Sequence, residues 1–284
     1  MRPVRPTALI TALFIAAVAS ASCAARVEQP RTIALEDIRA RPEPRAEFVD
    51  DYESALASIA AVVERDLELP KLQGMLHLVS DRDGLYDVLE ASGADPATAR
   101  GAADKMLAIG AHRAVYVNLT AFARLNWNAR IAVLSHEVAH AAQYELSGGR
   151  RSTSDQWLRE GYADWVQAHV LDSMGVLTRG GILTRNSRFI SRPGSREALP
   201  PLSELVGLSE WVAVSNGPAS DLLYPYAYVA TDFLIRRHSP AAAINYFRLF
   251  ADSDDRLANF HQAFGEEWSV FDAALRNHVA QLRP

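Results

Sequence analysis

The amino-acid sequence predicts an α+β fold, in which a small sheet with helices precedes a mainly helical half. Two short apolar segments, residues 72–80 and 114–119, are strand candidates in the first half. After residue 120 the apolar residues recur mainly at helical spacing. Hydrophobic residues make up 49% of the 284 positions and charged residues 22%, which is typical of a globular protein.

Helical spacing of apolar residues predicts a first helix over residues 48–67. Pro70 follows and blocks its continuation, because proline lacks the amide hydrogen that a helix needs. The strand candidate 72–80 comes next, and a short helix is predicted over residues 84–91. The strand candidate 114–119 then precedes the helical half.

The helical half begins with a long helix predicted over residues 121–146, which ends at the pair Gly148 and Gly149. A second helix is predicted over residues 157–174. Glycine and proline residues in the segment 176–202 predict an irregular loop. Three further helices are predicted over residues 224–237, 240–250 and 268–282.

Residues 1–22 have the pattern of an export signal, because Arg2 and Arg5 precede an apolar run that small residues follow. The apolar run is short for a membrane-spanning helix. Residues 23–45 carry prolines among charges without an apolar period, and they are predicted to form a flexible tether. The folded domain is predicted to cover residues 46–284.

Cys23 is the only cysteine, which excludes an internal disulfide bond and a cysteine-based metal site. Its position after small residues resembles the lipobox of bacterial lipoproteins. This resemblance implies that Cys23 is lipidated and anchors an exported protein to a membrane of the cell envelope. Cleavage after Ala21 is the alternative, and it would give a soluble periplasmic or secreted protein.

The charge distribution argues against a nucleic-acid partner. The net charge is −5, and the sequence has no stripe of basic residues interleaved with aromatic ones. The sequence does not predict an oligomeric state.

The motif H-E-x-x-H lies inside the long predicted helix, at His136, Glu137 and His140. Four residues of helix place the two histidines on one face, about 6 Å apart along the axis, so both can bind one ion. Glu137 lies beside that face, where its carboxylate can take a proton from a metal-activated water. Catalytic zinc usually has three protein ligands, so a third ligand is expected from a neighbouring element.

The next predicted helix contains the segment WLREGYAD, residues 157–164, with Glu160 20 residues after His140. This pair of motifs resembles the gluzincin metallopeptidases, in which a downstream glutamate completes the zinc site. The resemblance implies Zn²⁺ as cofactor, Glu160 as third ligand and a thermolysin-like zincin catalytic core within residues 46–284. Aminopeptidases usually have one residue fewer between the motifs, a difference that falls in the connecting loop.

The same resemblance implies roles for two further residues. Asp164 lies one helical turn after Glu160, where several gluzincins have an acidic residue that accepts a hydrogen bond from a ligand histidine. Tyr224 matches a tyrosine that stabilises the oxyanion in aminopeptidases, and packing in an aromatic core is its alternative role. Residues 110–113, GAHR, replace the G-x-M-E-N motif of aminopeptidases, so aminopeptidase specificity is not implied. His112 in this segment precedes the strand that runs along the substrate in related enzymes.

The predicted function is zinc-dependent hydrolysis of peptide bonds in a peptide or protein substrate, with Glu137 as general base. Two alternatives remain. The protein could be a non-catalytic envelope lipoprotein that uses a degenerate peptidase domain for binding, although Glu137 would then be unnecessary. It could also be an amide hydrolase that acts on cell-wall peptides.

Overall fold

The computed structural model of the chain describes residues 28–91, 96–150 and 153–283. Within these residues the fold is α+β, as predicted, with a small mixed sheet followed by a mainly helical half. The predicted export signal and Cys23 lie outside the described residues. No helix in the described part of the chain is long and apolar enough to cross a membrane.

The sheet in the described residues has four strands in the order β1-β2-β4-β3. The central pair, β2 and β4, is parallel, and each outer strand is antiparallel to its neighbour. The inner positions Leu76, Val115 and Val117 are fully buried. The strands are β1 (Arg31–Ala34), β2 (Met75–Val79), β3 (Ala108–Ala111) and β4 (Ala114–Asn118).

Strand β1 lies inside the segment 23–45, and the prediction of a flexible tether is therefore wrong for this part of the chain. Ile33 pairs with Leu76 of β2, and both Ile33 and Leu35 are buried in the core. Glu28 accepts a hydrogen bond from the buried Arg130 at 2.7 Å. A four-residue edge strand is too short to show an alternating pattern among its charged neighbours, which explains why the sequence does not reveal it.

In the described part of the first half, four α-helices accompany the sheet. Asp51 caps the first of them, because its side chain accepts from the Ser54 amide at 2.7 Å while the Ser54 hydroxyl accepts from the Asp51 amide. A π-helical turn, Ala61–Asp66, continues that helix close to the predicted end. The helices are α1 (Tyr52–Ala60), α2 (Arg82–Ala91), α3 (Pro96–Lys105) and α4 (Leu119–Phe122).

The helical half contains two long neighbouring helices, α5 and α6, and a third, α10, that packs against α6. Helix α5 also lies against β3 and β4 of the sheet. The helices are α5 (Trp127–Leu146), α6 (Gln156–Ser173), α7 (Arg179–Ile190), α8 (Ser195–Ala198), α9 (Leu208–Ser215), α10 (Ser220–Arg237), α11 (Pro240–Leu249), α12 (Arg256–Phe264) and α13 (Trp268–Gln281).

Two predictions for this half are wrong in detail. The long helix predicted over residues 121–146 is divided into α4 and α5, because Asn126 caps α5 through the Ala129 amide at 2.9 Å. The segment 176–202 is not a loop throughout, since it contains α7. Thr178 caps α7 through the Gly181 amide at 3.1 Å, so glycines that suggest a loop lie in a capped first turn.

The start of α6 is fixed by a buried carboxylate. Asp155, fully buried, accepts hydrogen bonds from the Tyr246 hydroxyl at 2.7 Å and from Arg256 Nη1 at 2.8 Å. Both partners belong to helices near the C-terminal end of the chain. This attachment holds the first turn of α6 against the core, and the side chain of Glu160 follows one turn later.

Candidate metal centre

Helices α5 and α6 bring the three predicted ligands together. The Nε2 atoms of His136 and His140 are 3.1 Å apart, and Glu160 Oε2 lies 3.4 Å from each of them. The three side chains are only 11–13% exposed. Among the described residues, these three form the group of metal-binding side chains that could hold an ion.

The separations of these atoms fit a tetrahedral zinc ion. Zinc bonds of about 2.0–2.1 Å place neighbouring ligand atoms roughly 3.3 Å apart in a tetrahedron. The observed distances of 3.1, 3.4 and 3.4 Å between the two Nε2 atoms and Glu160 Oε2 match that value. Two imidazoles and one carboxylate also form a donor set that zinc prefers, and a fourth position remains for water or substrate.

Each of the three predicted ligands has a hydrogen-bond partner behind it. His136 Nδ1 lies 2.9 Å from Asp164 Oδ1, so the structure places Asp164 where the resemblance implies. His140 Nδ1 lies 2.9 Å from Gln143 Oε1, and Gln156 Nε2 donates to Glu160 Oε1 at 2.6 Å. Such partners orient metal ligands and make imidazoles stronger donors to the metal.

Sequence reasoning missed the two glutamines of this arrangement. Gln143 lies three residues after His140, and Gln156 lies four residues before Glu160. Residues at these spacings share a helix face, which is the signal that could have identified them. Glutamine is also common at solvent-facing positions, so spacing alone does not distinguish a glutamine that supports a ligand from one that faces solvent.

Glu137 lies beside the ligand triangle and contacts the edge of the sheet. Its Oε2 atom accepts a hydrogen bond from the Gly110 amide of β3 at 2.5 Å. A Cβ atom on Gly110 would lie 2.3 Å from the Glu137 carbonyl oxygen, so glycine allows β3 to lie directly against α5. Burial is the main cause that raises the pKa of Glu137 above the ordinary glutamate value, which suits a proton acceptor.

The pKa values of His136 and Glu160 shift in opposite directions, which favours a positive histidine beside a negative glutamate. Burial alone would lower the pKa of His136, but hydrogen bonds to Asp164 and Glu160 outweigh it and raise this pKa well above its usual value. Burial alone would raise the pKa of Glu160, but the charges of His140 and His136 hold it well below the ordinary range. The anionic Glu160 therefore attracts positive charge to the point where the ligand atoms converge.

Tyr224 lies next to the ligand triangle on α10. Its ring centre is 6.4 Å from that of His136, and the ring of Trp211 packs edge-on against it at 5.3 Å. Burial and the charge of Glu160 raise the pKa of Tyr224 well above its usual value. The phenol therefore keeps its proton at neutral pH and can donate a hydrogen bond. Trp211 was not found by sequence reasoning, because it lies on the short helix α9.

Gly161 explains why α10 comes close enough to bring Tyr224 to the centre. A Cβ atom on Gly161 would lie 2.3 Å from both the Ala227 carbonyl oxygen and Thr231 Oγ1. The backbones of α6 and α10 therefore touch directly after Glu160. Ala227 lies three residues after Tyr224, on the same side of α10.

His112 does not belong to the centre. Its exposed ring lies in the β3–β4 turn, where His112 Nε2 is 3.2 Å from Glu145 Oε2. Arg113 of the same turn also binds Glu145, at 3.2 Å. These contacts attach the turn to the C-terminal part of α5 and so help to hold β3 in place.

Replacing Asp164 with asparagine tests the partner of His136. The amide is a weaker acceptor than a carboxylate, so we expect zinc affinity to fall about 10- to 100-fold while the fold is retained. Competition with a chromophoric chelator measures the affinity, and thermal unfolding measures the stability. Unchanged zinc affinity together with unchanged activity would show that Asp164 does not support the ligand.

Comparison with protein-family models, curated proteins and solved structures finds no match to this chain. The chemistry of the centre is therefore inferred from its side chains and their distances. The centre combines three converging nitrogen and oxygen atoms, the adjacent Glu137 carboxylate and the protonated phenol of Tyr224.

Proposed function

We propose that this protein is a zinc-dependent metallopeptidase of the gluzincin type. His136, His140 and Glu160 hold the zinc ion, and Glu137 acts as general base. The observation that carries the proposal is the triangle of ligand atoms, whose edges of 3.1, 3.4 and 3.4 Å suit tetrahedral zinc. The position of Glu137 beside this triangle favours catalysis over a purely structural site.

When bound, zinc would polarise the scissile carbonyl and lower the pKa of a coordinated water toward neutrality. Glu137 accepts the proton of the attacking water and then delivers it to the leaving amine. The Gly110 amide holds one oxygen of the Glu137 carboxylate and so fixes the direction of the other. Tyr224 donates a hydrogen bond to the oxyanion that develops on the former carbonyl.

A peptide substrate is supported by the place of β3 in the sheet. Strand β3 is an outer strand of the sheet, and it lies against α5 beside Glu137. The edge of a strand can pair with an extended peptide through backbone hydrogen bonds. The Gly110 amide is occupied by Glu137, so a peptide bound along β3 would pair with other backbone groups of this edge and pass the general base. This arrangement favours peptide or protein substrates, including cell-wall peptides.

We also propose that the domain has a thermolysin-like zincin core. Its support is the arrangement of the site helices: α5 carries both histidines and packs on the sheet, and α6 carries the glutamate. The connection between them is short: Gly148 and Gly149 have positive φ angles at its start, and the buried Asp155 lies at its end.

The proposal is tested by metal analysis and a peptide-cleavage assay on the purified protein. We expect one zinc ion per chain, and we expect cleavage of a mixed peptide library that stops on chelation and returns when zinc is added. Protein that takes up no zinc would contradict the metal site. Protein that binds zinc but cleaves neither library peptides nor cell-wall peptides would support a binding function instead.

The cellular location is a separate proposal. Lipidation of Cys23 would anchor the protein to an envelope membrane, so the wild-type protein should fractionate with membranes. The Cys23→Ala variant should be released or left unprocessed. Identical soluble behaviour of the two proteins would indicate simple secretion.

A further inference from the structure

The buried amide of Gln143 connects the two helices of the candidate metal centre. Gln143 is fully buried on α5, three residues after His140. Its Oε1 atom lies 2.9 Å from His140 Nδ1. Its Nε2 atom donates to the backbone carbonyl oxygen of Arg159 on α6 at 2.9 Å. Arg159 directly precedes Glu160, so a single side chain joins the surroundings of two ligands.

The carbonyl of Arg159 determines which way this amide points. A carbonyl oxygen can only accept a hydrogen bond, so the NH₂ group of Gln143 must face Arg159. The amide oxygen of Gln143 must then face His140. That oxygen is an acceptor, so His140 carries its proton on Nδ1 and presents the lone pair of Nε2 to the ligand triangle.

We propose that Gln143 is a positioning residue that sets the tautomer of His140 and holds this histidine in register with Glu160. The proposal rests on the zinc site proposed above. His136 has the carboxylate of Asp164 in the corresponding place, and a carboxylate accepts in either orientation. A glutamine amide has a donor end and an acceptor end. The selection of the His140 tautomer therefore depends on the backbone of α6.

The tautomer can be measured without any substitution. Nitrogen-15 NMR of the histidine rings, recorded on chelator-treated protein in alkaline buffer, distinguishes a protonated Nδ1 from a protonated Nε2. We expect the His140 signals to show a protonated Nδ1. These signals can be identified because they should shift in a Gln143→Glu variant, which should keep the same tautomer. A proton on Nε2 of His140 would overturn the proposal.

Zinc affinity is the second measurement. Gln143→Met keeps the length of the side chain but replaces the amide with an apolar thioether, which removes both hydrogen bonds, and we expect zinc affinity to fall about 10- to 100-fold. Gln143→Glu keeps the acceptor for His140, so its affinity should lie much closer to that of the wild type. Gln167→Met is the matched control, because Gln167 is a buried glutamine of α6 seven residues beyond Glu160.

Each outcome has a defined meaning. Wild-type zinc affinity in Gln143→Met would overturn the proposal, and so would an equal loss in Gln167→Met, which would indicate a general effect of losing a buried amide. If Gln143→Met does not fold, the tautomer measurement on the wild-type protein decides. Failure of the proposed function can be distinguished from failure of this inference. If the protein binds zinc but cleaves no peptide, the peptidase proposal fails and the role of Gln143 in zinc binding stands. If the protein binds no zinc, the zinc site fails, and the His140 tautomer can still be measured.

Discussion

Replacing Glu160 with alanine is expected to abolish tight zinc binding and, with it, all peptidase activity. The substitution removes one of three ligand atoms and the negative charge that attracts the cation. Loss of a partner behind a ligand already costs about 10- to 100-fold in affinity, so loss of the ligand itself should cost more. Elemental analysis after dialysis should find less than one zinc ion per ten chains, compared with about one per chain in the wild type.

Thermal unfolding provides an independent measure of the same effect. A ligand present at about 1,000 times its dissociation constant stabilises the folded protein by about 4 kcal/mol. Added zinc should therefore raise the melting temperature of the wild type and leave that of Glu160→Ala unchanged. Glu197→Ala, in the short helix α8 on the protein surface, is the matched control and should respond like the wild type. A Glu160→Ala protein that retains zinc would show that the third ligand lies elsewhere.

The residues of the candidate centre that lie at helical spacing within one helix could be predicted from the sequence. His136 and His140 share one helix face because four residues turn an α-helix by about 400°, slightly more than one full turn. Glu160 and Asp164 are related in the same way on α6. The spacing within each pair follows from helical geometry alone, whereas Glu160 and Asp164 were connected to the two histidines only through the resemblance to gluzincins.

The groups supplied by other parts of the fold could not be predicted. Gly110 contacts Glu137 only because β3 lies against α5, and Trp211 reaches Tyr224 only because α9 folds back onto α10. Each of these contacts depends on tertiary packing between short elements. A strand of four residues or a helix of two turns has too few apolar positions to define a period.

The same limit explains the errors in the fold. Strand β1 has the sequence RTIA, in which only Ile33 is buried, so its pattern resembles that of a tether. Helix α7 has two glycines directly after its first residue, Arg179, and Ile182 and Ile190 are its buried positions. The α+β class was predicted correctly, because it depends on the long helices α5, α6 and α10 and on two central strands.

Replacing Glu137 with glutamine is expected to lower the turnover number by at least about 100-fold while zinc remains bound, because loss of a general base commonly costs 10²- to 10⁴-fold. The amide oxygen of glutamine can still accept the hydrogen bond of the Gly110 amide. The side chain therefore keeps its place in the centre. An amide cannot take a proton from water at neutral pH, so the chemical step loses its acceptor.

The stability of this variant should separate catalysis from folding. Burial raises the pKa of Glu137, which means that the folded protein disfavours the ionised carboxylate relative to the unfolded chain. This unfavourable contribution is present above the folded pKa and disappears as the pH falls below the unfolded pKa. A neutral glutamine removes it, so chelator-treated Glu137→Gln should be at least as stable as the wild type at neutral pH. Loss of activity with retained zinc and retained stability would establish Glu137 as the base. Unchanged turnover would remove Glu137 from the mechanism. Loss of zinc would instead assign Glu137 to the metal site.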